Sequence, residues 1–193
     1  RVKDDITLSQ PSAILDEGTD GLLSETLSNN KFKGKFLDSF FITSNNLPCH
    51  DALFICVGDP SKLTESKNEK IGGAIYSKLQ ERGTQGRVLI FVDDKMQGHP
   101  ATNIGFGMQL KEYKFDKYFT KKDKEETDFE VVICRDGVAS TTLEKEFIDK
   151  QAMADSIAFT KDLISEPSNV LYPKSYADRV KDLEKFGIKV TVY

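Results

Sequence analysis

Two apolar runs, residues 52–57 (ALFICV) and 87–92 (RVLIFV), bracket a segment whose apolar residues recur at helical rather than strand spacing. That order restricts the fold more than any other feature, because a buried strand, a helix and a second buried strand in succession build an α/β sheet. Within the bracketed segment, Ile71, Ala74, Ile75 and Leu79 fall on one face of a helix over 68–82, and Gly83 stands where the helix would stop. The Gly72-Gly73 pair weakens that helix by about 1 kcal/mol per residue relative to Ala, so a neighbour packed closely against that turn is expected.

The remaining elements follow from the same rules. Residues 36–43 (FLDSFFIT) read as a strand closed by the turn formers Ser44 to Pro48; residues 52–57 then follow in a hairpin-like pair, as a central strand covered on both faces. Residues 87–92 read as a second buried strand and 129–134 (FEVVIC) as a third, with a helix over 103–111 weakened by Gly105 and Gly107. Phe147, Ala154, Ile157 and Ile164 give a long helix over 142–165, ended by Pro167, which disfavours helix at the residue before it. After Pro173, Tyr176, Val180 and Leu183 mark a helix over 175–185, and the alternation of Ile188, Val190 and Val192 reads as a strand reaching the last residue. Such a strand lacks a later partner, and the first residue is Arg1 rather than Met; a piece of a longer protein, trimmed at its start and without a signal peptide, is expected.

Composition narrows the function. With 27 Lys and Arg against 31 Asp and Glu, the net charge of −4 argues against a general nucleic-acid binder, which needs cations to displace counterions from phosphates. The longest uncharged apolar stretch, 52–57, is far short of the roughly 20 residues of a membrane helix. Cys49, Cys56 and Cys134 have no C-x-x-C spacing, and the last two lie in strand-like runs, as reduced, buried thiols of a cytosolic protein do.

No group stands out as reactive. His50 and His99 each neighbour a proline-bearing loop and lack metal-ligand spacing, so both are expected on the surface. The serine context G-x-S-x-G is absent, and Cys49 beside His50 is the one exposed thiol candidate, though neighbours in a turn seldom orient toward each other. Gly105-Phe106-Gly107 lacks the second half of a phosphate-binding motif and fits close helix packing better. Residues 111–124 (KEYKFDKYFTKKDK) interleave lysines with aromatics; they read either as a local nucleic-acid patch or as inward aromatics with solvated lysines.

The strongest pattern is the run from Lys161 to Pro173 (KDLISEPSNVLYP) with the helix and strand that follow. It resembles the start of the catalytic domain of leucyl (cytosol) aminopeptidases, matching at Asp162, Leu163, Pro167, Asn169 and Pro173. Residues 113–118 (YKFDKY) resemble the Tyr-basic-Phe-Asp-basic-Tyr segment late in that family's N-terminal domain, and Phe32-Lys33-Gly34-Lys35 resembles its early loop. Ser165 stands where an Asn is common, and Tyr172 where a small capping residue precedes the helix-opening proline.

The resemblance implies an α/β fold: a mixed β-sheet sandwiched between helices, macro-domain-like, over 1–138, then a connecting helix over 139–165 and the truncated beginning of the catalytic domain over 166–193. The family's opening strand would precede Arg1. It further implies a cytoplasmic, hexameric parent enzyme that removes N-terminal residues, leucine preferentially, from peptide substrates with two divalent ions, zinc or manganese. The motifs that hold those ions in the family, Gly-Lys-Gly-x-x-Phe-Asp-Ser-Gly-Gly and Asn-Thr-Asp-Ala-Glu-Gly-Arg, do not occur in the 193 residues. No catalytic, cofactor-binding or metal residue is therefore assigned, and this stretch is expected to be inactive alone. Two other readings stay open: a macro-like module holding a nucleotide such as ADP-ribose near Gly72-Gly73 or Gly105-Gly107, and DNA binding through 111–124, with Lys121, Lys122 and Lys124 as its test.

Overall fold

The computed structural model describes residues 6–29, 32–120 and 128–193. The chain opens with two short helices that sequence periodicity does not reveal, α1 (Gln10–Gly18) and α2 (Leu22–Asn29). Ser9 caps α1 by accepting from the Ser12 N–H, and Asp20 and Gly21, both at positive φ, turn the chain into α2. Strands β1 (Ser39–Thr43) and β2 (Asp51–Ile55) then pair antiparallel, with Phe40 opposite Phe54 and Ile42 opposite Ala52. One face of this hairpin, through Phe40, Ile42 and Phe54, packs on Leu23 and Leu27 of α2.

Helix α3 (Glu65–Arg82) starts at the Thr64 cap and stops at Gly83 in the left-handed conformation. Strand β3 (Gly86–Val92), helix α4 (Pro100–Glu112) and strand β4 (Phe129–Arg135) form a strand-helix-strand unit whose strands run parallel, Gly86 opposite Phe129 and Val92 opposite Arg135. The long helix α5 (Ser140–Ser165) packs on α4, and α6 (Pro173–Lys181) follows, continued by a short 3-10 helix over Asp182–Phe186.

The main core lies between the sheets and α3 and α4: Ile71, Ile75, Tyr76 and Leu79 of α3 and Ile104 and Met108 of α4 meet Val88, Ile90, Val92, Val131 and Ile133. Tight polar joints fix its edges. Arg82 donates from Nε and Nη2 to the two Asp51 oxygens, each at 3.0 Å, and its guanidinium lies 5.2 Å from the Phe41 ring centre, tying the end of α3 to the hairpin. Asn68 and Asn103, fully buried, donate their amides to the carbonyls of Gln97, Gly98 and His99, pinning the loop that starts α4.

The glycines govern the helix packing. A Cβ on Gly72 would sit 2.0 Å from the Ile104 carbonyl oxygen, and one on Gly107 would sit 2.0 Å from that of Glu69, so α3 and α4 cross with their backbones in contact. A Cβ on Gly105 would instead meet the Phe147 ring of α5 at 3.0 Å. The ligand-holding reading of these glycines is not favoured, because helix backbone lies against Gly72 and Gly107 and an aromatic ring against Gly105.

Four sequence expectations change. The strands form two separate pairs among the described residues, antiparallel and parallel, rather than one mixed sheet. Strand β2 is half-buried along its length and, among the described residues, pairs with β1 alone, as an edge rather than a central strand does. Strand β3 covers one face only: Leu89 and Phe91, alternating with the core residues, are 52% and 62% exposed. Residues 188–192 form no strand, since no described strand lies alongside to share hydrogen bonds, and Ile188 and Val192 stay exposed.

Gly72→Ala and Gly107→Ala are each expected to lower unfolding stability by about 3 kcal/mol, because backbone cannot yield to the new methyl group. Gly73→Ala, whose Cβ would meet the Gly107 carbonyl at an ordinary 3.7 Å, should instead be neutral or stabilising by up to about 1 kcal/mol. Urea denaturation of the three variants checks both directions.

Candidate functional site

The segment that leaves α4 runs back along α5 and meets its end. Tyr113 turns the backbone out of helix at φ −52° and ψ 126°, so residues 113–118 extend across the last turns of α5. Tyr113 donates its phenol to Asp162 Oδ1 at 2.7 Å, and the Lys161 ammonium lies 4.9 Å from the Tyr113 ring centre. Three residues from the end of the segment, Phe115 packs edge-on against Tyr118 at 5.8 Å between centroids.

The charged centre of the site is Glu166, the residue that caps α5. Its N–H donates to the Asp162 carbonyl at 3.1 Å while its own backbone is extended, as the following Pro167 favours. Its side chain is only 2% exposed, yet carries a full charge because three donors surround it: Lys117 Nζ at 2.9 Å, Arg179 Nη2 of α6 at 3.1 Å, and the Tyr118 phenol. Lys117 first, then Tyr118 and Arg179, hold the Glu166 carboxyl down at about 2 from its ordinary 4.5. The same contact raises Lys117 and Tyr118 above their ordinary values, while burial first and the bond to Asp162 second raise Tyr113. A cleft of about 290 Å³ opens beside this centre, lined by Phe115, Asp116, Phe159 and Leu163 among others.

Beyond the centre the chain is braced for a new helix. The Pro167 carbonyl accepts from the N–H groups of Val170 and Leu171, each at 2.9 Å, and Pro173 opens α6. Tyr172 offers no capping side chain there; the Ser175 hydroxyl, three residues on, accepts from the Tyr172 N–H at 2.9 Å and supplies half of a capping box.

The structure therefore brings together two of the three sequence landmarks, 113–118 and 161–173. Sequence reading matched Asp162, but gave no role to Glu166 or Arg179. The available signal was chemical: an acid next to a helix-ending proline, and an upstream segment rich in cations and phenols to meet it. The remaining candidates stay apart. His50 and His99 have side chains 90% and 65% exposed, beside Asp51 and Glu146 respectively, as expected for loop residues. Cys49 is exposed, its Sγ facing the Asp51 carbonyl and its thiol raised first by burial and then by the Asp51 charge; Cys56 and Cys134 are half-buried rather than fully buried. Among the described residues no three His, Cys, Asp or Glu side chains converge as a metal ion requires. Of the 111–124 segment, Lys117 is committed to Glu166, which removes a cation from any nucleic-acid patch; Lys121, Lys122 and Lys124 lie outside the described residues. No helix among those residues is long and apolar enough to cross a membrane.

Comparison with known proteins identifies the family. Residues 2–122 match the model of the cytosol aminopeptidase family, N-terminal domain. The chain is 34% identical over 145 residues to a probable cytosol aminopeptidase of Brucella ovis, covering 72% of this chain and 29% of that protein. It is 29% identical over 188 residues to the probable cytosol aminopeptidase of Sinorhizobium fredii, covering 94% of this chain and 37% of the relative. In fold it is similar to a tomato leucine aminopeptidase mutant, with a TM-score of 0.77 over 96% of this chain and 37% of that one at 16% identity. A bottromycin maturation enzyme is similar at a TM-score of 0.66 and 18% identity, over 90% of this chain and 36% of that one.

The fold is thus that of the small mixed α/β unit found in leucine aminopeptidases. The chain belongs to the cytosol aminopeptidase family, and it spans about a third of the length of the relatives it matches.

The Glu166 shift fixes a pH window. A carboxylate held at about 2 in the folded chain and near 4.5 when unfolded adds stability that is complete above pH 4.5 and disappears as pH falls through 2. Thermal melts from pH 7 to 2 should therefore show a smaller acid-induced fall in Tm for Glu166→Gln than for the native chain, with the two curves converging at the acid end.

Proposed function

We propose that these residues are the non-catalytic N-terminal portion of a metallo-aminopeptidase that removes N-terminal residues, leucine among the preferred ones, from peptides. Residues 1–138 are the N-terminal domain, macro-like in its layering; 139–165 are the connecting helix; and 166–193 begin the catalytic domain. The observation that supports this reading is the extent of the likeness: the family match covers residues 2–122, and similarity to a probable cytosol aminopeptidase extends over 94% of the chain.

The parent enzyme would use two divalent ions, zinc or manganese. Paired ions of that kind lower the pKa of a bridging water and polarise the scissile carbonyl. The residues present do not fit such a pair: the donor motifs are absent from the sequence, and no described cluster of acids, histidines or thiols replaces them. The role of this portion is then to flank the reactive domain and help arrange subunits of a cytoplasmic hexamer.

Mixing the 193-residue chain with leucine p-nitroanilide and added Mn²⁺ or Zn²⁺ should release no nitroaniline above the metal-only control. Turnover that scales with the amount of chain would overturn the assignment.

A further inference from the structure

Helix α6 is lightly held: it has no buried residue, and among the described elements it packs appreciably only on the short helix over Asp182–Phe186. Tyr176, on its surface, is 49% exposed. A nine-residue helix with so little packing is too short to persist on propensity alone. Besides the local bond from the Ser175 hydroxyl to the Val170 carbonyl, the Arg179–Glu166 ion pair ties it to the end of α5, and the same carboxylate is gripped from the other side by Lys117 and Tyr118.

We infer that Glu166 is a positioning residue that pins α6 to residues 113–118 and so sets the direction in which the chain leaves α5. The geometry has the parts of a pinned hinge. The backbone is extended at Glu166 and stiffened by Pro167, and residues 167–171 form a tight turn, so few torsions remain free between the pin and Pro173. The pin itself is a buried carboxylate with a donor from each side, Lys117 from the segment after α4 and Arg179 from α6. Removing the charge frees both arms together. Resting on the reading that α6 opens the catalytic domain, the pin would fix how that domain is set against the N-terminal one.

The test is region-resolved hydrogen exchange on the 193-residue chain, which reads local opening directly. Arg179→Met and Glu166→Gln should each speed exchange of the α6 amides at least tenfold and leave those of α3 and α4 within twofold. The decisive variant is Lys117→Met, which lies on another element and is bonded to Glu166, while its charge repels Arg179 across the same cleft; because its loss relieves that repulsion, faster α6 exchange, expected to be several-fold, can come only through Glu166. Tyr118→Phe, which deletes one oxygen and preserves the ring, provides a milder variant expected to act in the same direction. If Lys117→Met and Tyr118→Phe leave α6 unchanged while Arg179→Met does not, the Arg179 pair is purely local and the inference fails. It fails equally if α3 and α4 accelerate in step with α6, since Glu166 would then contribute only to overall stability. Neither result bears on the peptidase assignment, which the anilide assay judges separately.

Discussion

Two helices can touch backbone to backbone only where side chains are absent, and α3 and α4 do so at Gly72 and Gly107. That contact places Ile71, Ile75 and Leu79 at the depth where Ile104 and Met108 can join them, and it sets how far the parallel pair β3–β4 lies from α3. The hairpin then docks by Arg82 at the end of α3, and α5 docks on α4 where Gly105 admits Phe147. A missing methyl group at each of three positions thus decides the arrangement of most of the chain. The local preference lost by placing glycine within helices is small beside the packing that it permits.

The C-terminal end is organised on a different principle. Packing holds α5 on α4, but beyond Ser165 the chain is held by charge: one enclosed carboxylate with cations from two directions. A buried ion pair is a poor source of net stability and a good source of geometric definition, because the unpaired alternatives are strongly disfavoured. Its location at the join between the segment after α4 and the start of α6 suits a part whose value lies in orientation.

Much of this was legible from residue order. Ile71, Ile75 and Leu79 announced α3, Gly83 its end, Pro167 the end of α5, and the glycine pair a close neighbour. The misreadings share a cause. An apolar run such as Ala52 to Val57 reports how hydrophobic a strand is, not how many strands lie beside it, so the sheet order and the open face at Leu89 and Phe91 could not be read from it. Helices α1 and α2 escaped because their few turns give little periodicity and the α2 anchors, Leu23 and Leu27, find cover in residues distant in sequence, among them Phe40, Ile42 and Phe54 of the hairpin. Glu166 and Arg179 escaped for a similar reason: thirteen positions separate them, and Lys117 lies 49 residues upstream, so their meeting is a property of the folded chain.

The loop before α4 and the end of α5 are both fastened by buried polar side chains, but of opposite kinds. Asn68 and Asn103 hold residues 97–99 with neutral amides, which acid does not titrate, whereas Glu166 holds α6 with a carboxylate. The molecule consequently has a direction of disassembly: acid strong enough to reach the Glu166 carboxyl, near pH 2, unfastens α6, while the amides at the entrance to α4 carry nothing for that acid to titrate.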